Sequence, residues 1–300
     1  MSLDRKDYEE PVCPFDTSMW QAKPVSRIPV DRVIEKEDEY LGRDDFAGAE
    51  RHLLYWAEEA LSGNDARGLF AVENELMGVY RKTGREAEAL AHAAKALDLT
   101  AFPEIGPESA AAATAYTNAA TVYKVFRRFE EALSLYEKAR AIYERDLKPG
   151  DARMGGLYNN MALVLADLKR FDEAIELYGK AIAWMDGVKF GALEQGLSYL
   201  NLCDCLMGRD SAVVNESGEP CDPGDPEASL VVPPKTDEKI ENYLDLAWDK
   251  INDPAIPANG YYAYVCECAA PSFRYYGREN MAVALEKMAG EIHESLNGNG

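Results

Sequence analysis

The chain has 300 residues, 47% of them hydrophobic, and a formal charge of −21 at pH 7. It holds no apolar run of the roughly 18 residues a membrane-spanning helix needs, and so acidic a surface disfavours nucleic acid and anionic lipid as partners. Six cysteines spread over this length do not form a disulfide framework, and the charged opening MSLDRKDYEEPVCP lacks the apolar stretch of a secretory signal, so a reducing cytoplasm is the expected setting. The acidity reads first as a solubility device. A cationic partner is the sharper alternative.

Residues 1–30 carry Pro11, Pro14, Pro24 and Pro29 without a helical period, which predicts an extended arm. Phe15, Trp20 and Val25 could staple it to the first helices, or it could lie in a binding groove and block it. Helical periodicity begins at Asp31, a plausible N-cap. The helices then come in pairs. The first pair is 31–41 and 44–61 with Gly42 in its turn, and the second runs 66–99 with a turn at Thr83-Gly84. The third and fourth span 107–147 and 151–186, set off by Pro103, Gly106 and Pro107, by Lys148-Pro149-Gly150, and by Asp186-Gly187. The fifth, 192–251, is interrupted at 208–236 by a stretch whose Pro, Gly and acidic content favours a floppy insertion over a lid. The sixth runs 259–297, where Pro271 should kink or split the first helix and Gly277 marks the turn. Residues 298–300 are a frayed tail.

Two of these pairs are near copies. Tyr116–Ala139 and Tyr158–Ala181 lie 42 residues apart and agree at 12 of 24 positions. A fixed period of this size predicts one repeated supersecondary unit whose neighbours stack into a continuous core. Ala120 and Ala162 stand where the first helix of a pair (helix A) crosses the second (helix B). Ala49, Ala89, Ala132 and Ala174 answer them from helix B. Larger side chains there would push the helices beyond close-packing distance. Tyr80, Tyr123, Phe129, Phe171, Tyr136 and Tyr178 then fill the space between repeats, while Ala96, Ala139 and Ala181 admit the next one.

This pattern resembles the tetratricopeptide repeat family. The residues that carry the likeness are Tyr116, Ala120, Tyr123, Phe129, Ala132, Tyr136 and Ala139, repeated as Tyr158, Ala162, Leu165, Phe171, Ala174, Tyr178 and Ala181. The 42-residue period and the run Tyr158-Asn159-Asn160-Met161-Ala162 look most like the longer repeats of kinesin light chains. The resemblance implies an all-α, right-handed α-solenoid of about six helix-turn-helix repeats over residues 31–297. Glu37 departs from it, standing where a small residue is expected, which suggests a polar capping role at the solenoid's end.

In this family helix A lines the concave groove. Carried over by position, the resemblance implies groove residues Asn74, Arg81 and Lys82, then Thr117, Asn118, Thr121 and Lys124, then Gly156, Asn159 and Asn160, and finally Ser198 and Asn201. The asparagines are the sharpest signal. Asn118 and Asn160 are 42 residues apart, as are Asn159 and Asn201. Each amide offers a donor and an acceptor, so a ladder of them could hold an extended peptide backbone without reading its side chains. Asparagine is a poor helix former, so its recurrence in mid-helix needs a reason. The competing reason is that these amides bridge adjacent helices. Arg81 and Lys124 would be the groove's cations, yet the family's carboxylate-clamp set is matched only at Asn118, so recognition of chaperone C-termini is not expected.

Cys203-Asp204-Cys205 and Cys266-Glu267-Cys268 resemble metal motifs. On a helix, residues i and i+2 point apart, so buried thiols acting as small apolar groups are the better reading. No catalytic motif occurs, and His52, His92 and His293 are scattered. The sequence therefore predicts a non-enzymatic scaffold for a protein or peptide segment, with no cofactor and no metal. Homo-oligomerisation stays open. The alternatives are a peptide-sensing regulator and, behind it, a metal-binding or enzymatic role for the interrupted fifth repeat.

Overall fold

The computed structural model describes residues 25–211 and 237–297. Phe15, Trp20, the arm up to residue 24, residues 212–236 of the insertion and the 298–300 tail lie outside them. Among the described residues there are twelve helices and no strand. The chain divides into two compact units, Met1–Gly106 and Pro107–Gly300. The first holds α1 (Val30–Leu41), α2 (Phe46–Ser62), α3 (Ala66–Lys82) and α4 (Glu86–Leu99). The second holds α5 (Ala110–Val125), α6 (Phe129–Asp146), α7 (Ala152–Asp167), α8 (Phe171–Met185), α9 (Ala192–Ser211), α10 (Glu238–Ile251), α11 (Gly260–Tyr275) and α12 (Glu279–Asn297). Within each unit odd-numbered helices are the A helices and even-numbered ones the B helices.

Five of the A–B turns are built alike. Each passes through one left-handed residue: Asp44 (φ 56°), Gly84 (φ 70°), Arg127 (φ 60°), Lys169 (φ 62°) and Gly277 (φ 74°). The next backbone N–H then reaches back five residues to the closing carbonyl of helix A. Arg85 donates to Tyr80, Arg128 to Tyr123, Arg170 to Leu165 and Arg278 to Phe273, all at 2.8–2.9 Å. That is the long bond of a Schellman closure, which satisfies carbonyls that the helix end leaves orphaned. In the first repeat the turn residue is Asp44 and not Gly42, which stays right-handed at φ −65°. The arginines that open α4, α6 and α8 each pair with the glutamate three residues on: Glu88, Glu131 and Glu173.

Distances counted from the left-handed residue explain the core. Five residues after it stand Ala49, Ala89, Ala132, Ala174 and Ala282, all fully buried. Seven residues before it stand Glu37, Met77, Ala120, Ala162 and Ala270, also buried. These are the A–B crossing points, where added methylenes would cost about 1–3 kcal/mol by overpacking. Tyr136, Tyr143 and Tyr178 are enclosed between layers, and wholly buried side chains such as Leu53 and Met161 each stabilise the fold by about 1.5–3 kcal/mol relative to exposure.

Three sequence expectations need correction. Glu37 is no solvent-facing cap: it occupies the crossing point and is 2% exposed. Of the two outcomes expected at Pro271, a kink or a split, the split does not occur: α11 runs unbroken through it. Val25 is 58% exposed and staples nothing. Instead Ile28 tucks against the α2–α3 turn, its N–H donating to Asp65 Oδ2 at 2.9 Å, while Ser26 N–H donates to Gly63 C=O at 2.8 Å. Gly63 and Gly68 permit this approach, because a Cβ on either would collide with Ser26 O at 2.2 Å or Ile28 Cγ1 at 2.6 Å.

Candidate functional site

In the second unit the A helices α5, α7, α9 and α11 lie side by side, and polar side chains stitch each seam. Between α5 and α7, Lys124 Nζ donates to Asn160 Oδ1 at 3.3 Å. Between α7 and α9, Asn159 Oδ1 accepts from Ser198 Oγ and from Asn201 Nδ2, both at 3.1 Å. Between α9 and α11, the Tyr276 hydroxyl donates to Asp204 Oδ1 at 2.7 Å, and Tyr261 donates to Glu194 Oε1 at 3.0 Å. These bridges define a continuous polar wall.

The predicted residues divide accordingly. Asn118 is exposed on α5, and Asn159, Asn160 and Asn201 are half-buried on the same wall. Gly156 lies one turn before Asn160, and a Cβ there would meet nothing within 4 Å. The wall is thus open at that point. Ser198 is a correction: it is buried and supports Asn159 from below. The threonines are half-buried, with their hydroxyls engaged. Thr117 Oγ donates to Ala113 C=O of its own helix, and Thr121 Oγ donates to Thr117 C=O and meets the Tyr136 hydroxyl at 3.0 Å. Asparagine therefore serves both purposes weighed from sequence. Asn159 and Asn201 tie helices together, yet each amide has further hydrogen-bonding capacity.

Asn74, Arg81 and Lys82 belong to α3 in the other unit. Asn74 Nδ2 donates to Phe70 C=O of its own helix at 2.8 Å. Lys82 works among carboxylates. Burial pushes the Glu37 carboxyl up to about 8, the charges of Glu75 and Asp38 add to the effect, and Lys82 opposes it. Glu75 is raised by burial and by Asp38, again against Lys82. Glu37 Oε2 is buried with no hydrogen-bond partner. The α1–α3 face is therefore a set of acids short of cations.

Cys203, Cys205 and Cys266 are buried, and burial pushes their thiols up to about 12, 11 and 11. They pack as small side chains with weak S–H donors, Cys203 Sγ donating to Ile240 C=O at 3.8 Å and Cys205 Sγ to Phe171 C=O at 3.7 Å. Cys268 differs from the sequence expectation in being exposed. Among the described residues no group of three or more His, Cys, Asp or Glu side chains is placed to hold a metal ion. No helix among them is long and apolar enough to cross a membrane. The two acid–tyrosine pairs of α9 and α11 were missed in the sequence. The available signal was the stripe Tyr261, Tyr264, Cys268, Tyr275 at helical spacing.

Two segments of the chain match models of the tetratricopeptide repeat, residues 69–145 and residues 156–183. No curated protein sequence matches it. Among solved structures it is similar to a Rap protein complexed with competence and sporulation factor, with 13% identity over 92% of this chain and 67% of that one, at a TM-score of 0.52. It is also similar to BtubC (BKLC) from P. vanneervenii, with 15% identity, 91% and 94% coverage and a TM-score of 0.48. A putative kinesin light chain from Podosopora anserina gives 14% identity, 75% and 94% coverage and a TM-score of 0.48. At such identities the likeness concerns the fold alone. Repeats of this kind form protein-interaction scaffolds. Residues 69–145 and 156–183 are thus tetratricopeptide repeats, set within an all-α repeat architecture.

Proposed function

We propose that this protein is a non-enzymatic scaffold that holds an extended peptide segment along the α5–α7–α9 wall. The single observation that carries the reading is the placement of Asn118, Asn159, Asn160 and Asn201 on adjacent A helices beside the open position at Gly156. A side-chain amide can donate to one peptide carbonyl and accept from one peptide N–H, so a row of amides at the spacing of neighbouring helices matches an extended backbone. The absence of a side chain at Gly156 lets that backbone approach α7 closely. Lys124, drawn onto Asn160, supplies one positive charge to the wall and orients the amide.

The reading is tested by blocking the wall. A Cβ at Gly156 meets nothing within 4 Å, so a side chain can be attached there without a clash at its root. The Gly156→Trp variant should keep its helical circular dichroism and lose the partners that the wild type captures from its native cell extract. Capture of the same partners at the same yield by both proteins would remove the wall from the account.

A further inference from the structure

The same wall changes character at its last two A helices. Along α9 the wall positions pass from Asn201 to Asp204, with Glu194 nearer the start of the helix. Across the seam, α11 presents Tyr261, Tyr264 and Tyr275, which are 47%, 56% and 47% exposed. An exposed helix stripe ordinarily carries charges, and three part-exposed tyrosine rings on one stripe make an aromatic surface instead. Tyr261 and Tyr264 are stacked, with ring centres 6.3 Å apart, and Tyr275 meets Tyr276 edge-on at 5.1 Å. Between the two helices opens a hollow of about 390 Å³ lined by Asp204, Met207, Gly208, Tyr275 and Tyr276.

Asp204 is the charged residue in the lining of this hollow. The nearby arginines are already engaged: Arg209 by Asp210, Arg274 by Glu279 and Glu286, and Arg278 by Glu241 and Asp245. Asp204 accepts one neutral hydrogen bond, from Tyr276, and uses only one of its two oxygens to do so. Asp204 is exposed at the hollow's rim; packing around its carboxyl raises the pKa, while the Tyr276 hydroxyl partly restores it. A carboxylate with a spare oxygen beside aromatic faces suits a flat cation, which can stack on a ring and bond in the carboxylate's plane.

We propose that the Asp204–Tyr275–Tyr276 hollow is a specificity pocket for an arginine side chain of the bound peptide segment. The proposal rests on the peptide-binding reading of the wall but adds what that reading lacks, a side chain that is recognised. The amide row would hold the backbone of any extended peptide, and the hollow would choose those with a guanidinium in the right place.

The test uses ten-residue peptides alternating serine with arginine, with lysine, or with citrulline, the neutral shape-mimic of arginine, titrated into the full chain at near-physiological salt. The arginine peptide should bind at least tenfold more tightly than the citrulline peptide, and more tightly than the lysine peptide. Asp204→Asn, and separately the exposed-site variant Tyr275→Ala, should each erase most of the arginine preference. Retention of the full preference by both variants would overturn the proposal, because the acidity of the whole surface would then explain the binding. The Asn118→Ala/Asn160→Ala variant separates the two claims. If it weakens all three peptides equally and leaves the arginine preference intact, both stand. If it changes nothing while Asp204→Asn erases the preference, the pocket stands and the amide row falls.

Discussion

The two units use one hairpin and build different walls from it. Nine residues before the left-handed turn residue, α3 carries Glu75, whereas α5 and α7 carry Asn118 and Asn160. Seven before it, α1 places Glu37 where α5 and α7 have Ala120 and Ala162. Eleven before and eight after it, the first unit pairs Glu73 with His92, at 2.5 Å, where the second has Tyr116 with Leu135 and Tyr158 with Leu177. The first unit thus spends polar groups inside its own structure. The second fills those positions with tyrosine and leucine and uses polar side chains to bridge its A helices along the wall. On the proposed reading, a ligand would use the hydrogen-bonding capacity that the bridged amides have left over.

The Glu73–His92 contact is where the comparison breaks most visibly. Glu73 and His92 are both buried, and Lys95 reaches Glu73 only at 3.6 Å. Truncating His92 leaves the buried Glu73 carboxyl without its close hydrogen-bond partner, so His92→Ala should lower unfolding stability by about 1–3 kcal/mol in chemical denaturation. Installing the second unit's solution, Glu73→Tyr with His92→Leu, should recover most of that loss. If the single truncation costs under about 1 kcal/mol, then the pair is not what holds α3 against α4.

Glu37 sharpens the comparison through pH. Its folded-state pKa of about 8 lies above the ordinary 4.5, so the folded protein holds a proton that the unfolded chain releases. The stability it contributes is complete below pH 4.5 and is lost as pH rises through about 8. Glu37→Gln keeps the shape and removes the titration. It should raise the melting temperature at pH 9 by roughly 5 °C and leave it nearly unchanged at pH 4.5. An equal shift at both pH values would show that packing, not the proton, matters at this position.

The smallest effect concerns the turns that both units share. Arg127 and Lys169 hold left-handed conformations that cost a side-chain-bearing residue about 1–2 kcal/mol. Glycine would relieve that strain but loses more entropy on folding, so Lys169→Gly should stabilise by no more than about 1 kcal/mol. Thermal unfolding would show it, and a clear loss of stability would mean that the Lys169 side chain, poised over Phe171 at 5.7 Å, matters more than its backbone.

Much of this architecture could be read from the chain alone, because the buried alanines at the crossing points recur in sequence as they do in space. The turns were legible at Gly84 and Gly277, where glycine advertises the left-handed conformation, and illegible at Asp44, Arg127 and Lys169, where it does not. Glu37 misled because a glutamate suggests solvent, whereas its place in the repeat buries it. The wall was legible in its asparagines and not in its bridges. Ser198 meets Asn159 across 39 residues, and Tyr276 meets Asp204 across 72, with the insertion breaking the period between them. Such pairings depend on how helices are set side by side, which residue spacing within one helix does not encode.

The amide wall is tested most directly by titrating a captured partner peptide into the wild type and into Asn118→Ala/Asn160→Ala, with circular dichroism recorded on both. Losing the paired hydrogen bonds of two amides amounts to about 3 kcal/mol, so the account predicts unchanged helicity and roughly 100-fold weaker binding. Equal affinity for the two proteins would contradict it.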